Sequence, residues 1–301
     1  MVLMEKLAAA WARRESLHGD SNTTAYRLFH GHGEGDSALN VDRFGEALVL
    51  WLRRPEMVDL SAVTAFYQAR LGPEVIVVKE GARDPGRLLL GSEPEAPLIV
   101  TEDGLSYAVD LLAAQNAGFF LDARPARQWL RCNSQDRRIA NLFAYTGSLG
   151  VAARAGGARS IEHVDLQSGQ LKRARLNHHI NAQPVDDRDF QAMEVGRWLR
   201  IAVKKGRRFD GLILDPPPRT PHGRARFRRE SLYRWGAQAL NSGGWMLIFF
   251  NRRGADREAE GRAFLESVDL PMEQIWQGTS GVDFPEEAPG DRLSLVAYAR
   301  P

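Results

Sequence analysis

The chain of 301 residues is 44% apolar, enough to bury a substantial core in one large domain or two of ordinary size. Forty basic residues against 38 acidic ones leave a formal charge of +2, and neither a run of about 18 uncharged apolar residues nor a secretory pattern occurs, so membrane insertion and export are not expected and a cytoplasmic location is. A single cysteine, Cys132, excludes an internal disulfide and a thiolate zinc site, and no metal is expected.

Residues 4–17 place Leu7, Ala8, Trp11, Ala12 and Leu17 at helical spacing, with Glu5, Lys6, Arg13 and Arg14 on the other side, which predicts an amphipathic first helix. From Thr23 to Leu52, short extended runs around Gly31, Gly33, Gly35 and Gly45 predict strands joined by tight turns. A helix is predicted over 60–71. Strands follow at Val75–Lys79 and Leu98–Leu111, separated by a loop punctuated with glycine and proline. From Asn141 onward an apolar strand, a loop with a polar or acidic end and a helical stretch alternate regularly, the pattern of a parallel sheet wrapped by helices. The predicted strands there are Arg138–Phe143, Ser160–Val164, Pro184–Asp187, Gly211–Leu214, Trp245–Asn251, Met272–Trp276 and Leu293–Ala299, with helices at Ser168–Asn177 and Asp256–Val268. Together these predict a small α+β domain over residues 1–112 and an α/β domain over 113–301.

Two strand ends carry the chemistry. Asp215, Pro216 and Pro217 close the apolar run 211–214, and a carboxylate with rigid prolines at a buried strand's end makes a reaction platform. Residues 141–147 (NLFAYTG) end another such run. In open α/β sheets a nucleoside cofactor lies beyond the carboxyl ends of the strands, where the strand order reverses, so these two ends read as the facing edges of one cleft. Gly147 lets the backbone pass close to the cofactor, and Asp165, 18 residues further on, sits near the spacing at which an acid grips ribose hydroxyls. The alternative role for Asp165 is the cap of the following helix. Arginine makes up 35 of the 40 basic residues. Arg219, Arg224, Arg226 and Arg228 fall in one basic run after the prolines, a candidate contact for RNA phosphates. Acid gathers instead at Asp283, Glu286, Glu287 and Asp291.

The ordered series Phe119–Arg124 (FFLDAR), Asn141–Gly147, Asp165 and Asp215–Pro217 resembles the S-adenosylmethionine-dependent methyltransferases of bacterial large-subunit ribosomal RNA. The runs Tyr26–Gly35 (YRLFHGHGEG) and Asn40–Gly45 (NVDRFG) resemble the small domain that precedes the catalytic domain in that family. The resemblance implies a Rossmann-like class I methyltransferase sheet of seven strands ending in a hairpin-like pair. It implies S-adenosylmethionine as cofactor, RNA as partner and a possible homodimer. By the same resemblance, Phe120 and Phe119 wall the cofactor pocket, and Arg124 meets the cofactor carboxylate unless it merely pairs with Asp122. Phe143, Ala144, Tyr145 and Gly147 form the cofactor loop, Asp165 and Leu166 follow the second strand, and Asp189 with Phe190 follows the third, where Asp186 and Asp187 compete for the adenine contact. The backbone carbonyls of the double-proline bend would face the target base, with Asp215 orienting it.

The chain departs from the family at Pro218-Arg219-Thr220, which replaces the usual aromatic residue after the prolines. One branch of the family methylates cytosine carbon 5 through a cysteine thiolate, and the other methylates guanine nitrogen 7, whose in-plane lone pair needs no covalent help. Phe249-Phe250-Asn251 stands where the first branch would carry its cysteine, which favours the nitrogen route. A small-molecule methyltransferase and a non-catalytic cofactor or RNA-binding module are the alternatives.

Overall fold

The computed structural model describes residues 2–81, 85–93, 97–113, 116–217, 228–252, 254–286, 288 and 293–301. The chain divides into two units, Met1–Arg124 with Ser280–Glu287, and Pro125–Thr279 with Ala288–Pro301. The sequence boundary at 112/113 therefore falls early. The chain after the last strand of the first unit turns back on it: Asp110 N–H donates to the Ala117 carbonyl and Phe119 packs on Tyr107 at 4.4 Å.

The first unit opens with α1 (Leu3–Arg13) and a short α2 (Glu15–His18) where one helix was expected, followed by β1 (Ala25–His30), β2 (Leu39–Phe44) and β3 (Ala47–Leu52). Helix α3 (Leu60–Leu71) is capped by Asp59, whose carboxylate accepts from the N–H groups of Ser61 and Ala62, and it ends at left-handed Gly72. Strand β4 (Val75–Lys79) follows; β5 (Arg87–Leu90) lies in the stretch expected to be loop, and the predicted 98–111 strand is a hairpin, β6 (Leu98–Glu102) and β7 (Leu105–Val109). Asp103 and Gly104 both take positive φ and fold the apolar run back on itself. The main sheet runs β1-β2-β3-β4-β5, antiparallel except where α3 carries the chain across from β3 to a parallel β4. Leu7, Leu28, Val41, Leu50, Val63 and Val78 unite helices and sheet in one core.

Arg14 is not on a solvated face. It is fully buried, and its guanidinium donates to both carboxylate oxygens of Glu34 at 2.8 Å, to the Ala10 carbonyl at 2.7 Å and to the Asp283 carbonyl at 2.8 Å. Asp283 and Glu286, of the late acidic group, thus serve the first unit, and Glu287 and Asp291 lie outside the described residues. Asp283 accepts from Arg27 N–H at 3.0 Å, Phe284 lies under the Arg27 guanidinium at 4.5 Å, and Glu286 meets His30 Nε2 at 2.6 Å. Arg27 Nη1 donates to His30 Nδ1, so the ring's own proton sits on Nε2 and is given to Glu286. Burial, helped by the Arg27 charge, pushes His30 down to about 3, so this contact is a neutral imidazole donating to a carboxylate.

The second unit carries α4 (Arg124–Asn133), which starts at the boundary, then β8 (Arg138–Leu142), α5 (Ser148–Ala155), β9 (Ser160–Asp165), α6 (Ser168–Ile180), β10 (Phe190–Ala192), α7 (Val195–Lys204), β11 (Phe209–Leu214), α8 (Arg229–Gln238), β12 (Leu240–Phe250), α9 (Arg257–Ser267), β13 (Glu273–Thr279) and β14 (Ser294–Ala299). Its sheet runs β10-β9-β8-β11-β12-β14-β13, the first five strands parallel and β14 antiparallel to both neighbours. This is the expected seven-stranded Rossmann-like order, reversing between β8 and β11. The Pro184–Asp187 strand is not formed. Asp186 accepts from Arg188 N–H and Asp189 from Asp186 N–H, a reciprocal turn that satisfies the backbone locally and delays pairing until Phe190. No helix among the described residues is long and apolar enough to cross a membrane.

Gly33 makes one position testable, because a Cβ there would lie 1.5 Å from the Pro285 carbonyl oxygen. Gly33→Ala is expected to cost about 1–3 kcal/mol or more, read as a lower denaturant midpoint; an unchanged midpoint would show that the 280–286 segment is not seated against this glycine.

Candidate active site

The carboxyl ends of four neighbouring strands stand in register: Ala192 beside Asp165, Val164 beside Leu142, and Leu142 beside Leu214. The loop after β8 begins at once with strain, Phe143 at φ +59° and Tyr145 at φ +50°, a region that non-glycine residues rarely enter. Three hydrogen bonds impose it. Ala144 N–H donates to the Val164 carbonyl at 3.0 Å, Tyr145 N–H to Asp165 Oδ2 at 2.9 Å, and Gly147 N–H to the Ala144 carbonyl at 2.8 Å. Asn177 on α6 adds a fourth tie, its amide donating to the Thr146 carbonyl at 2.8 Å. Gly147 takes φ +76°, and a Cβ on it would meet Ala174 Cβ at 2.7 Å, so the protein's own helix packing requires glycine here.

Asp165 Oδ1 accepts from Gln167 N–H at 2.9 Å, so both oxygens receive one backbone donor. The helix-cap alternative is not what forms: Gln167 is the N-cap residue of α6, and Asp165 braces the loops after two strands. A carboxylate has about four acceptor sites, which leaves room for two hydroxyls. Leu166 beside it is 71% exposed, an apolar surface at a strand end. Phe143, Ala144, Tyr145, Gly147, Asp165, Leu166 and the Asp215–Pro217 turn thus share one edge of one sheet.

Asp189 does not share it. It precedes β10 rather than following it, at the amino end of the strand, and burial pushes its carboxyl upward. Phe190 is buried in an apolar cluster with Ala144, Leu171 and Ala174, its ring stacked on His163 at 4.9 Å. Asp186 and Asp187 lie in the same turn before the strand. The residue following β10 on the cofactor edge is instead Met193, whose N–H donates to the Asp165 carbonyl at 2.9 Å, and then Glu194, which caps α7 by accepting from Gly196 and Arg197 N–H. The helical spacing of Val195, Trp198, Leu199 and Ala202 was the available signal, since it fixes the start of α7 and so puts the strand just before it.

Phe120 and Arg124 belong to the first unit. Phe120 is 41% exposed, whereas Phe119 is buried against Tyr107. Arg124 donates to Asp103 Oδ1 at 2.6 Å and approaches Asp20 at 3.9 Å. Of the basic run, Arg228 is exposed at the N-cap of α8, and Arg219, Arg224 and Arg226 lie outside the described residues.

The double-proline carbonyls do not face outward unclaimed. Asn251, at the end of β12, donates through Nδ2 to the Pro216 carbonyl at 2.9 Å and to Asp215 Oδ1 at 3.1 Å. Arg229 Nη2 donates to the Pro217 carbonyl at 3.0 Å and to Asn251 Oδ1 at 3.4 Å. Cys132 is exposed near the end of α4, next to Asn133, whose carbonyl accepts from Trp245 Nε1. Trp245 pairs with Gly211 and so marks the other end of the parallel strands.

Behind the loop, His163 Nε2 and His178 Nε2 are 2.9 Å apart, a distance at which the two rings share one proton. Burial lowers both, His178 to about 4, aided for His163 by the His178 and Arg175 charges. The pair is therefore held neutral. A folded-state pKa near 4 against 6.5 when exposed leaves this contribution complete above about pH 6.5 and removes it as pH falls toward 4, at on the order of 1 kcal/mol per pH unit. Urea midpoints should drop between about pH 6.5 and 4.5, and less so in His178→Gln; parallel pH profiles for the two proteins would refute the assignment.

A profile of the S-adenosylmethionine-dependent methyltransferase family matches residues 43–258. Ribosomal RNA large subunit methyltransferase I of Erwinia tasmaniensis is 31% identical over 262 residues, 82% of this chain and 65% of that protein. The protein of the same name from Photobacterium profundum is 32% identical over 228 residues, 71% of this chain and 56% of that one. The chain thus spans well under the full length of these relatives. A Streptococcus mutans structure assigned as a SAM-dependent methyltransferase superposes with a TM-score of 0.88 at 20% identity, covering 98% of this chain and 80% of that one, and agrees with the fold. With the profile covering most of a sheet ordered in this way, the chain belongs to the S-adenosylmethionine-dependent methyltransferase family.

Proposed function

We propose that this chain transfers a methyl group from S-adenosylmethionine to a base of large-subunit ribosomal RNA, at a ring nitrogen of the guanine N7 type rather than at cytosine carbon 5. The observation that carries the reading is the strained Phe143–Gly147 loop, tied to Asp165 and ending the strand adjacent to Asp215-Pro216-Pro217 at the reversal of strand order. The names of the curated relatives support RNA as the substrate class.

The residues present fit the cofactor: Asp165 keeps acceptor capacity for ribose hydroxyls, Leu166 offers an apolar surface beside it, and Glu194 stands at the next strand end. When bound, S-adenosylmethionine supplies an electrophilic methyl group on a cationic sulfonium. The protein's share is then to align the nucleophile in line and exclude water. The covalent carbon-5 route lacks its thiolate: Asn251 ends β12, and Cys132 neighbours a residue bonded to the opposite end of the strands. The small first unit helps to hold the RNA, and Arg219, Arg224, Arg226 and Arg228 contact its phosphates in this reading.

Asp165→Ala is expected to weaken S-adenosylmethionine binding about tenfold or more, as the loss of charge-assisted hydrogen bonds entails. Unchanged calorimetric affinity would remove Asp165 from the site. Methyl transfer to unmodified ribosomal RNA should fall steeply as salt rises from about 50 to 200 mM, and less steeply when Arg224 and Arg226 are replaced by alanine. Salt-insensitive transfer to a metabolite would favour the small-molecule alternative.

A further inference from the structure

Asn141, His163 and Phe190 stand side by side in the register of β8, β9 and β10, all three buried. The His163 ring stacks on Phe190 and also meets both helices that cover these strands. Gly150 leaves the room that α5 needs to rest on the ring: a Cβ there would lie 2.2 Å from His163 Cε1, and one on Gly147 would lie 3.3 Å from the same atom. On α6, His178 Nε2 lies 2.9 Å from His163 Nε2, and the adjacent Asn177 holds the Thr146 carbonyl of the loop at 2.8 Å. One imidazole therefore touches the helix that follows the loop and bonds the helix that ties it.

The hydrogen bonds run in one direction. Asn141 Nδ2 donates to His163 Nδ1 at 3.3 Å, so the ring hydrogen of His163 is on Nε2 and is given to His178 Nε2, which places the hydrogen of His178 on Nδ1. Gln183 Nε2 donates to the Val151 carbonyl of α5 at 3.0 Å, and because a carbonyl can only accept, Gln183 Oε1 is left for that last hydrogen. His178 Nδ1 and Gln183 Oε1 are both buried without a closed hydrogen bond among the described residues, and the Gln183 side chain favours a hydrogen on the His178 ring. Every ring nitrogen of the pair thus has an assigned role. The run passes from β8 through β9 and α6 toward α5, and buried polar chains of this kind are costly to leave half made.

We propose that His163 and His178 are positioning residues for S-adenosylmethionine: by seating α5 and α6 on β9 they set the shape of the Phe143–Gly147 loop that receives the cofactor. This inference rests on the cofactor placement proposed above and is independent of which atom of the RNA is methylated. Neither imidazole touches the cofactor in this scheme. Loss of the His163–His178 bond releases α6 at the residue beside Asn177, and the loop then loses the tie at Thr146 that helps to hold it against the strain at Phe143 and Tyr145. The binding conformation becomes one of several, and the apparent affinity falls by the fraction to which it is populated.

The test measures S-adenosylmethionine binding to the full chain by calorimetry near neutral pH, with no RNA present. His178→Phe keeps a ring but removes the acceptor and should raise Kd about tenfold or more, while His178→Gln, which keeps an acceptor, should recover part of the loss. His163→Phe should weaken binding to a similar degree. The two Phe substitutions together should be no worse than the weaker single variant, because both remove the same bond. A pair that served stability alone would lower the unfolding midpoint and leave Kd where it was. Nitrogen NMR of the wild-type chain carrying isotope-labelled histidine gives a readout that needs no variant to fold: His163 should hold its hydrogen on Nε2 and His178 on Nδ1. Reversed or interchanging tautomers, or an unchanged Kd in folded His163→Phe and His178→Phe, overturn the inference. If Asp165→Ala weakens binding while these variants do not, this inference alone falls; if Asp165→Ala also binds normally, the cofactor placement falls with it.

Discussion

The second unit depends on a backbone conformation that costs free energy. Phe143 and Tyr145 both sit in the left-handed region, at about 1–2 kcal/mol each for residues with a Cβ. The Asp165 carboxylate on Tyr145 N–H is a charge-assisted bond of comparable size, and the Val164 carbonyl holds the residue between them. One acid therefore fixes the end of β8 from the end of β9. The same acid accepts from Gln167 and its backbone oxygen receives Met193 N–H, so three consecutive strand ends are coupled through a single residue. A bound nucleoside would meet an edge already organised before it arrived, which is how a site lowers the ordering cost of binding.

The first unit solves a different problem, since its core contains ions. Arg14, Glu34, Arg27, Asp42, His30, Asp283 and Glu286 are largely removed from water, and each is matched by a partner of opposite charge or by a directed hydrogen bond. Burial raises Asp283 despite the Arg27 N–H it accepts, and lowers His30. Such networks are costly to break at one member, because the remaining charge is left in the interior without compensation. The arrangement specifies a unique seating for the 280–286 segment more than it adds net stability.

Much of the second unit was legible in the sequence because parallel strands buried on both faces read as apolar runs ending in acids or turns. The 211–214 stretch of β11 follows that rule, while Arg138–Leu142 and Ser160–Asp165 carry fewer apolar residues and were marked by the glycine turn and the acid at their ends. The third strand was misplaced because its residues are not apolar: three aspartates form a local turn, and the pairing segment Phe190–Ala192 is too short to show a period. Asp189 and Phe190 were misassigned with it. Arg14 was read as a surface residue because helical spacing reports only which face a residue is on, and the acids that bury with it lie at 34 and 283. Asn251 was legible as the missing cysteine but not as a donor to the turn, a role that depends on contacts 35 and 36 residues apart.

The discontinuity of the first unit bears on how the chain is made. Its N-terminal part leaves the ribosome long before Asp283 and Glu286 are synthesised, and at ordinary translation speeds the interval from residue 124 to residue 280 is roughly ten seconds or more. During that time Arg14 and Arg27 have Glu34 and Asp42 but not the Asp283 groups that complete their surroundings, and His30 lacks Glu286. The first unit therefore stays incompletely closed until residues 280–286 have been made, and a chain cut before them would be injured in the unit that was synthesised first.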